Sequence, residues 1–442
     1  MQDKTFYLYT LGCKANQYDS QVIREGLLKS GFSEAPADEA HFSIINSCTV
    51  TAQADNKARK QIRAIITRNP SSKILITGCG AKKHEDLFAD SPQVVFIGGN
   101  EFKDRIVGIV NDYIENYHGM TFNFPDLNTI SSDSHAVHIT AFEGHTRVFV
   151  KVQDGCEAYC TYCTIPYERG DSRSREIDDV CKEVEGLAKN GFHEIVLTGI
   201  HLAQYKTNEG KLLTDLMRAL VQISDVKRLR LSSLEPHDFP DDFPQLFASS
   251  DIIQPHLHLP IQSGNNNILK KMNRRYTVER YREIVAEIRR LKPDFLLTTD
   301  FIVGFPTETE ERFMNSLENV LDIGFSKVHI FPFSARRGTP AEKMHGKVSK
   351  EDIRRRVKYA INETYKKAFE IKQSFIGRDF EVLVESTPEK ETGNWSGFTP
   401  NYLKVQFASD ANLANSFVPV QLKQVLYGDE PIMGELLHVS RI

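Results

Sequence analysis

No apolar run in this 442-residue chain approaches the roughly 18–20 residues that span a bilayer, so no membrane-crossing helix is expected. The opening "MQDKTFYLYTLGC" has no basic start followed by a long apolar stretch, and no secretory leader is expected either. The compartment these two absences suggest is the cytoplasm, where disulfides are rare. Cysteine is scarce, seven in all, and an odd count argues against complete pairing. A dominant charge is missing too. With 55 basic and 59 acidic residues the net charge is −4, which confines any nucleic-acid site to a local patch. Two stretches qualify: residues 57–73 hold six basic residues and no acid, and residues 270–292 hold nine basic residues and three glutamates. A solvated helix face explains either one more simply. Internal duplication and low-complexity tracts are absent from the sequence.

What is present is concentrated. Three of the seven cysteines, Cys156, Cys160 and Cys163, fall within eight positions as CxxxCxxC, ahead of an aromatic and Arg-containing loop. A disulfide, a zinc ion or an iron–sulfur cluster are the candidates. Structural zinc usually takes four ligands, and no fourth Cys or His follows at zinc-finger spacing. Three thiolates on a four-iron cluster leave one iron open to a chelating small molecule, and the loop favours that arrangement.

Residues 1–118 alternate short apolar runs with helical pattern, as an α/β unit with a mainly parallel sheet does. Cys13, Cys48 and Cys79 each follow one of its strands, so they should share the carboxyl edge of the sheet, where open α/β folds build sites. Residues 119–145 mix Ser, Asp, Asn and His without periodicity and read as a linker. Across 146–374 six strand–helix repeats suggest a partial (β/α)6 barrel, with the CxxxCxxC loop directly after its first strand. Residues 375–442 read as a small all-β barrel. Cys181 falls on the apolar stripe of a helix and is expected in the core.

CxxxCxxC with Tyr162 before the last cysteine, after strand one of such a barrel, resembles the signature of radical S-adenosylmethionine enzymes. "TLGCKANQYDS", "INSCTVTAQADNKARKQIR" and "TGCGAK" resemble the N-terminal domain of the methylthiotransferases within that group. "EIVLTGIHLAQY", "RLRLSSLEP", "HLHLPIQSGNNNILKKMNRRYT", "DFIVGFPTETEE" and "PFSARRGTPA" follow that family's radical domain in order, and the last module is similar to a TRAM domain. The resemblance implies two [4Fe–4S] clusters, one on Cys156, Cys160 and Cys163 and an auxiliary one on Cys13, Cys48 and Cys79. It also implies two S-adenosylmethionine molecules per turnover, a low-potential electron donor such as flavodoxin or ferredoxin, and a sulfur donor. The substrate it implies is the anticodon stem-loop of tRNA. "TLGCKANQYDS" is most similar to the bacterial branch acting on threonylcarbamoyladenosine. Isopentenyladenosine of tRNA and an aspartate of a ribosomal protein are the substrates of its sister branches. A non-catalytic iron–sulfur or zinc RNA-binding module is the remaining alternative.

Further site residues follow from the resemblance. Tyr162 is expected along the adenine of the cofactor, the backbone at Thr198 and Gly199 near its amino group, and Ser233 and Glu235 at its ribose. Gln262, Val303 and Gly304 sit at equivalent strand ends. Arg169, Arg173 and Arg175 are expected on RNA phosphates, with ion pairs to Glu168, Asp171 and Glu176 as the alternative. The terminal module has five basic and nine acidic residues over 376–442, so its RNA contacts should be aromatic, with Trp395 and Phe398 exposed in a Gly-rich turn.

Overall fold

The computed structural model describes residues 4–49, 52–88, 90–116, 121–123, 138–428 and 430–437. Its N-terminal sheet contains β1 (Thr5–Thr10), β2 (Ser33–Glu34), β3 (Phe42–Ser47), β4 (Lys73–Gly78), β5 (Val94–Gly98) and β6 (Thr121–Asn123). The spatial order is β2-β1-β3-β4-β5-β6, and every pairing is parallel. Helices α1 (Lys14–Lys29), α2 (Ala52–Arg68), α3 (Ala81–Phe88) and α4 (Ile106–Asn116) connect the strands. Every residue of β3 and β5 is buried, as expected for parallel strands covered on both faces. Strand β6 lies inside the 119–145 stretch read as linker; three residues carry too little periodicity to announce a strand. Residues 138–145 of that stretch are anchored as well. Ile139 and Phe142 are buried in the next domain's core, and the Thr140 and Ala141 amides donate to the Glu25 carboxylate. Residues 124–137 lie outside the described ones.

The central domain begins with β7 (Val148–Lys151), β8 (Gln153–Asp154), α5 (Ile165–Arg169), β9 (Arg173–Ser174) and α6 (Ile177–Lys189). It continues through β10 (Glu194–Thr198), α7 (Leu213–Leu220), β11 (Arg228–Leu231), α8 (Phe243–Ser249) and β12 (His256–His258). Then come α9 (Asn266–Lys271), α10 (Val278–Leu291), β13 (Leu296–Val303), α11 (Glu310–Ile323) and β14 (Lys327–Pro332). Strands β7, β10 and β11 form one parallel group and β12, β13 and β14 another. Single parallel bridges, Leu229 to Ile253 and Ser233 to His258, join the groups, so the six strands make the open arc of a partial barrel. The 265–291 stretch breaks before Tyr276 as its pattern suggests: Asn265 caps α9 and Thr277 caps α10. Cys181 packs partly buried against the domain core.

The long helix α12 (Lys350–Gln373) leads to a closed barrel of β15 (Asp379–Val384), β16 (Trp395–Phe398), β17 (Lys404–Phe407), β18 (Phe417–Gln424) and β19 (Ile432–Leu436). The "TGNWSGFTPN" stretch is not an exposed turn. Trp395 is 6 % exposed inside the barrel core, and Phe398 stacks on Tyr402 beneath the Arg147 guanidinium. Glycine disguises this strand: a Cβ on Gly397 would stand 2.4 Å from the Leu383 carbonyl, so the position admits only glycine. The barrel docks through charge. Glu194 is fully buried and paired with Arg147, Arg228 and Arg230. Arg228 and Arg230 continue to the carbonyls of Glu381, Phe398, Thr399 and Pro400 at 2.6, 3.0, 2.8 and 2.7 Å.

Candidate active site

Sheet register brings the first three cysteines together. Ser47 pairs with Gly78, so the next residues, Cys48 and Cys79, leave adjacent strands side by side. Thr10 pairs with Asn46, which sets Gly12 beside Cys48. The contact is close: Gly12 has φ +101°, and a Cβ there would lie 2.7 Å from the Cys48 sulfur. Cys13 follows as the N-cap of α1. Cys48 and Cys79 are buried, and Cys13 is exposed.

The other trio lies in the loop between β8 and α5. Cys156 and Cys160 are buried, Cys163 is half-buried, and the three pack with Ala158, Tyr162, Ile165 and Ile200. Burial pushes the thiols of Cys156 and Cys163 up to about 12, so a metal has to displace their protons to bind. Three thiolates sharing one zinc would approach within about 3.8 Å. Among the described residues no cysteine belongs to a ligand group drawn within 4.8 Å. Neither trio is therefore drawn in around a single ion.

Arg274, from the turn between α9 and α10, donates to the Cys160 sulfur at 3.3 Å and pairs with Glu235. Gln153 holds the loop from its other side. Its Oε1 accepts the Ile200 and His201 amides at 2.9 and 2.8 Å, and its Nε2 donates to the Gly155 carbonyl at 2.8 Å. Neither residue stood out in the sequence, since Arg274 is over a hundred positions from its sulfur and Gln153 looks like an ordinary strand residue.

A buried ionic cluster joins the two trios. Arg169 ends the short helix after the cysteine loop, yet its Nε donates to the Cys79 sulfur at 3.2 Å. The same guanidinium reaches Asp154 and Asn16, each at 2.6 Å. Asp19 in α1 receives Lys103 at 2.5 Å and also Lys151, and Lys151 returns to Asp154 at 3.1 Å. Burial alone would lift the Asp19 carboxyl; Lys103, Lys151 and Arg169 overcome it and hold the group well below the usual carboxylate range. On the far side Arg336, after β14, donates to the Thr49 carbonyl and to Asp55, each at 2.5 Å, beside Cys48. The N-terminal domain's cysteine edge is thus clamped over the barrel mouth from first strand to last.

Two expectations here need correction. Arg169 and Arg175 are not on the surface. Arg169 is 1 % exposed, and Arg175 is buried against Asp179 and Glu183. Their neighbours in space, rather than Glu168, Asp171 and Glu176, neutralise them. Arg173 remains partly exposed, donating to the Asp171 and Arg169 carbonyls. The Thr198 carbonyl already accepts the Val152 amide, while Gly199 abuts the Gln153 side chain. Ser233 bridges to His258, and Gln262 holds a positive φ of 59° with its amide and carbonyl engaged to β13. Val303 is a core side chain; its carbonyl receives Phe333, and the Gly304 amide is bound by Glu308 under α12. Tyr162 packs edge-on against Phe305. Tyr159 on the same loop and Tyr167 on α5 carry exposed rings, 45 and 54 %.

Both basic stretches keep charges on the surface. On α2, Ala58, Ile62 and Ile65 are buried while Lys57, Lys60, Arg63 and Arg68 face solvent. In residues 270–292, Arg274, Arg289 and Lys292 serve contacts within the fold, while Lys270, Lys271, Arg275, Arg280 and Arg290 face solvent. No helix among the described residues is long and apolar enough to cross a membrane.

Comparison with known proteins matches residues 150–320 to the radical SAM superfamily and residues 5–99 to the uncharacterized protein family UPF0004. The chain is 36 % identical over 440 residues to the threonylcarbamoyladenosine tRNA methylthiotransferase MtaB of Chlamydia pneumoniae, covering 98 % of each chain. The Bacillus subtilis protein of the same name is 34 % identical, with 96 and 94 % covered. The tRNA-2-methylthio-N(6)-dimethylallyladenosine synthase of Alkaliphilus oremlandii is 32 % identical, with 95 and 90 % covered. Among solved structures, the radical S-adenosylmethionine methyltransferase TsrM of Kitasatospora setae superposes with a TM-score of 0.56 at 14 % identity, over 82 % of this chain and 89 % of that one, a likeness of fold.

Proposed function

The chain belongs to the radical S-adenosylmethionine methylthiotransferase family, and from that premise we propose that it inserts a methylthio group at carbon 2 of threonylcarbamoyladenosine, at position 37 of tRNA. The observation that carries this reading is the convergence of two cysteine trios from two domains, with Arg169 reaching from one loop to a sulfur of the other. We assign one [4Fe–4S] cluster to Cys156, Cys160 and Cys163 and a second to Cys13, Cys48 and Cys79. Bound there, the clusters and two molecules of S-adenosylmethionine per turnover supply the one-electron reduction, the sulfur and the methyl group that an adenine C–H, with no acidic proton, requires.

The chain's own residues supply placement. Gln153 and Arg274 fix the two sides of the CxxxCxxC loop, so its sulfurs are held before anything binds. The contacts of Arg169 and Arg336 hold the cysteine edge of the N-terminal domain against the barrel mouth. Lys57, Lys60, Arg63 and Arg68 form a basic row on α2, the helix that follows the Cys48 loop, and suit RNA phosphates. Tyr159 and Tyr167 offer exposed rings at the cysteine loop on which unstacked bases can lie.

The branch assignment follows "TLGCKANQYDS" and the names of the relatives at 36 and 34 % identity. Dimethylallyladenosine is the second reading, favoured by the relative at 32 %. Mass spectrometry of tRNA nucleosides from cells with and without the gene separates them. Loss of methylthiolated threonylcarbamoyladenosine is expected; loss of the dimethylallyl product instead would reassign the branch.

A further inference from the structure

Two histidines and an aspartate outside both cysteine trios meet where the loops after β10 and β11 adjoin. His201 follows the turn held by Gln153, and His237 and Asp238 lie just beyond Glu235. One ligand atom from each of the three lies within 4.8 Å of the others. The His237 Nε2 and His201 Nε2 stand 3.1 and 3.5 Å from the same oxygen of Asp238. A tetrahedral ion bound at about 2.0–2.1 Å spaces its ligands about 3.3 Å apart, which these separations bracket.

An independent observation points the same way. His201 is 2 % exposed, and among the described residues neither of its ring nitrogens has a hydrogen-bond partner, nor does the buried Nδ1 of His237. Core histidines kept for packing normally satisfy at least one nitrogen. An anion is excluded as the guest, because Asp238 presents its carboxylate to the same space. Gln204 orients that carboxylate, donating to it at 3.4 Å, and takes the Glu157 amide of the cysteine loop at 3.1 Å.

We propose that His201, His237 and Asp238 bind one divalent transition-metal ion, separate from both cysteine trios. Two imidazoles and a carboxylate suit zinc or ferrous iron, and three protein ligands leave a position for water or another oxygen donor. The site ties the β10 and β11 loops together beside the CxxxCxxC loop. It stands whether or not the tRNA substrate is as assigned.

Zinc alone is the probe. Protein purified anaerobically, loaded with its iron–sulfur complement and washed with chelator, is equilibrated with zinc and analysed for zinc and iron. The wild type is expected to hold one zinc with nitrogen and oxygen neighbours in its X-ray absorption spectrum. His201→Ala and His237→Ala should weaken zinc at least tenfold with iron content and visible absorption unchanged. Asp238→Asn, at the more exposed ligand, is the variant to use if an alanine change costs iron, and should weaken zinc severalfold. Zinc bound equally by the variants, sulfur in its shell, or no zinc on the wild type would overturn the proposal.

Discussion

Arg169 donates its Nε–H to the sulfur of Cys79 at 3.2 Å, so a side chain from the helix after one cysteine loop ends on a thiol of the other domain. The remaining nitrogens lie on Asp154 and Asn16, and nothing of the guanidinium reaches solvent. Removing one member of a buried ionic group leaves the others uncompensated, typically at about 3–5 kcal/mol. Arg169→Met is therefore expected to lose about that much in denaturant unfolding, and Arg169→Lys less. In Arg169→Lys the cluster assigned to Cys13, Cys48 and Cys79 should become harder to reduce, because a thiolate loses a fixed donor. Redox titration followed by electron paramagnetic resonance reads that change, which a purely structural role would not move.

Glu194 governs docking of the terminal barrel. Burial alone would raise its carboxyl; Arg230 and Arg147 overcome that and hold it down at about 2, against an ordinary 4.5. A depressed carboxyl contributes stability that is present above pH 4.5 and lost as pH falls towards 2, about 3 kcal/mol over that window. Glu194→Gln should be less stable at neutral pH and should show a flatter acid limb. Circular dichroism against urea at pH 7 and at pH 3.5 checks both.

Trp395 tests the correction to the terminal module. As a core residue, Trp395→Ala should cost about 3–5 kcal/mol of stability. Under conditions where the variant stays folded, its tRNA affinity should match the wild type. A selective loss of tRNA binding with unchanged stability would restore the stacking role.

The α2 row predicts a salt signature. Lys60→Ala and Arg63→Ala should each weaken tRNA binding with little effect on stability, and each should reduce the slope of log affinity against log salt by about one. Filter binding from low to moderate salt measures it.

Much of the architecture was legible because it is written in period and spacing. The βα alternation placed all six barrel strands, and the recurrence of cysteine after strands of the first sheet placed Cys13, Cys48 and Cys79 on one edge. What stayed hidden depends on contacts between distant positions. The ionic cluster draws Asp19, Lys103, Lys151, Asp154 and Arg169 from two domains, so each looked like a surface charge. Arg169 and Arg175 stand just past the cysteine loop, where RNA ligands would, but Asp154 and Asp19 from other elements take the first, and Asp179 and Glu183 on the next helix take the second. Strand β16 was lost behind its glycine, and β6 behind its brevity.

The central claim is that both trios are needed for one methylthiolation. Anaerobic enzyme, loaded with iron and sulfide, is incubated with S-adenosylmethionine, dithionite and tRNA lacking the modification, and the nucleosides are analysed by mass spectrometry beside the iron content. The wild type is predicted to carry about eight irons and to add one methylthio group to threonylcarbamoyladenosine. Replacing Cys13, Cys48 and Cys79 with alanine, or Cys156, Cys160 and Cys163, should leave about four irons and no methylthio product in either case. Methylthiolated tRNA from enzyme without its N-terminal trio would contradict the account.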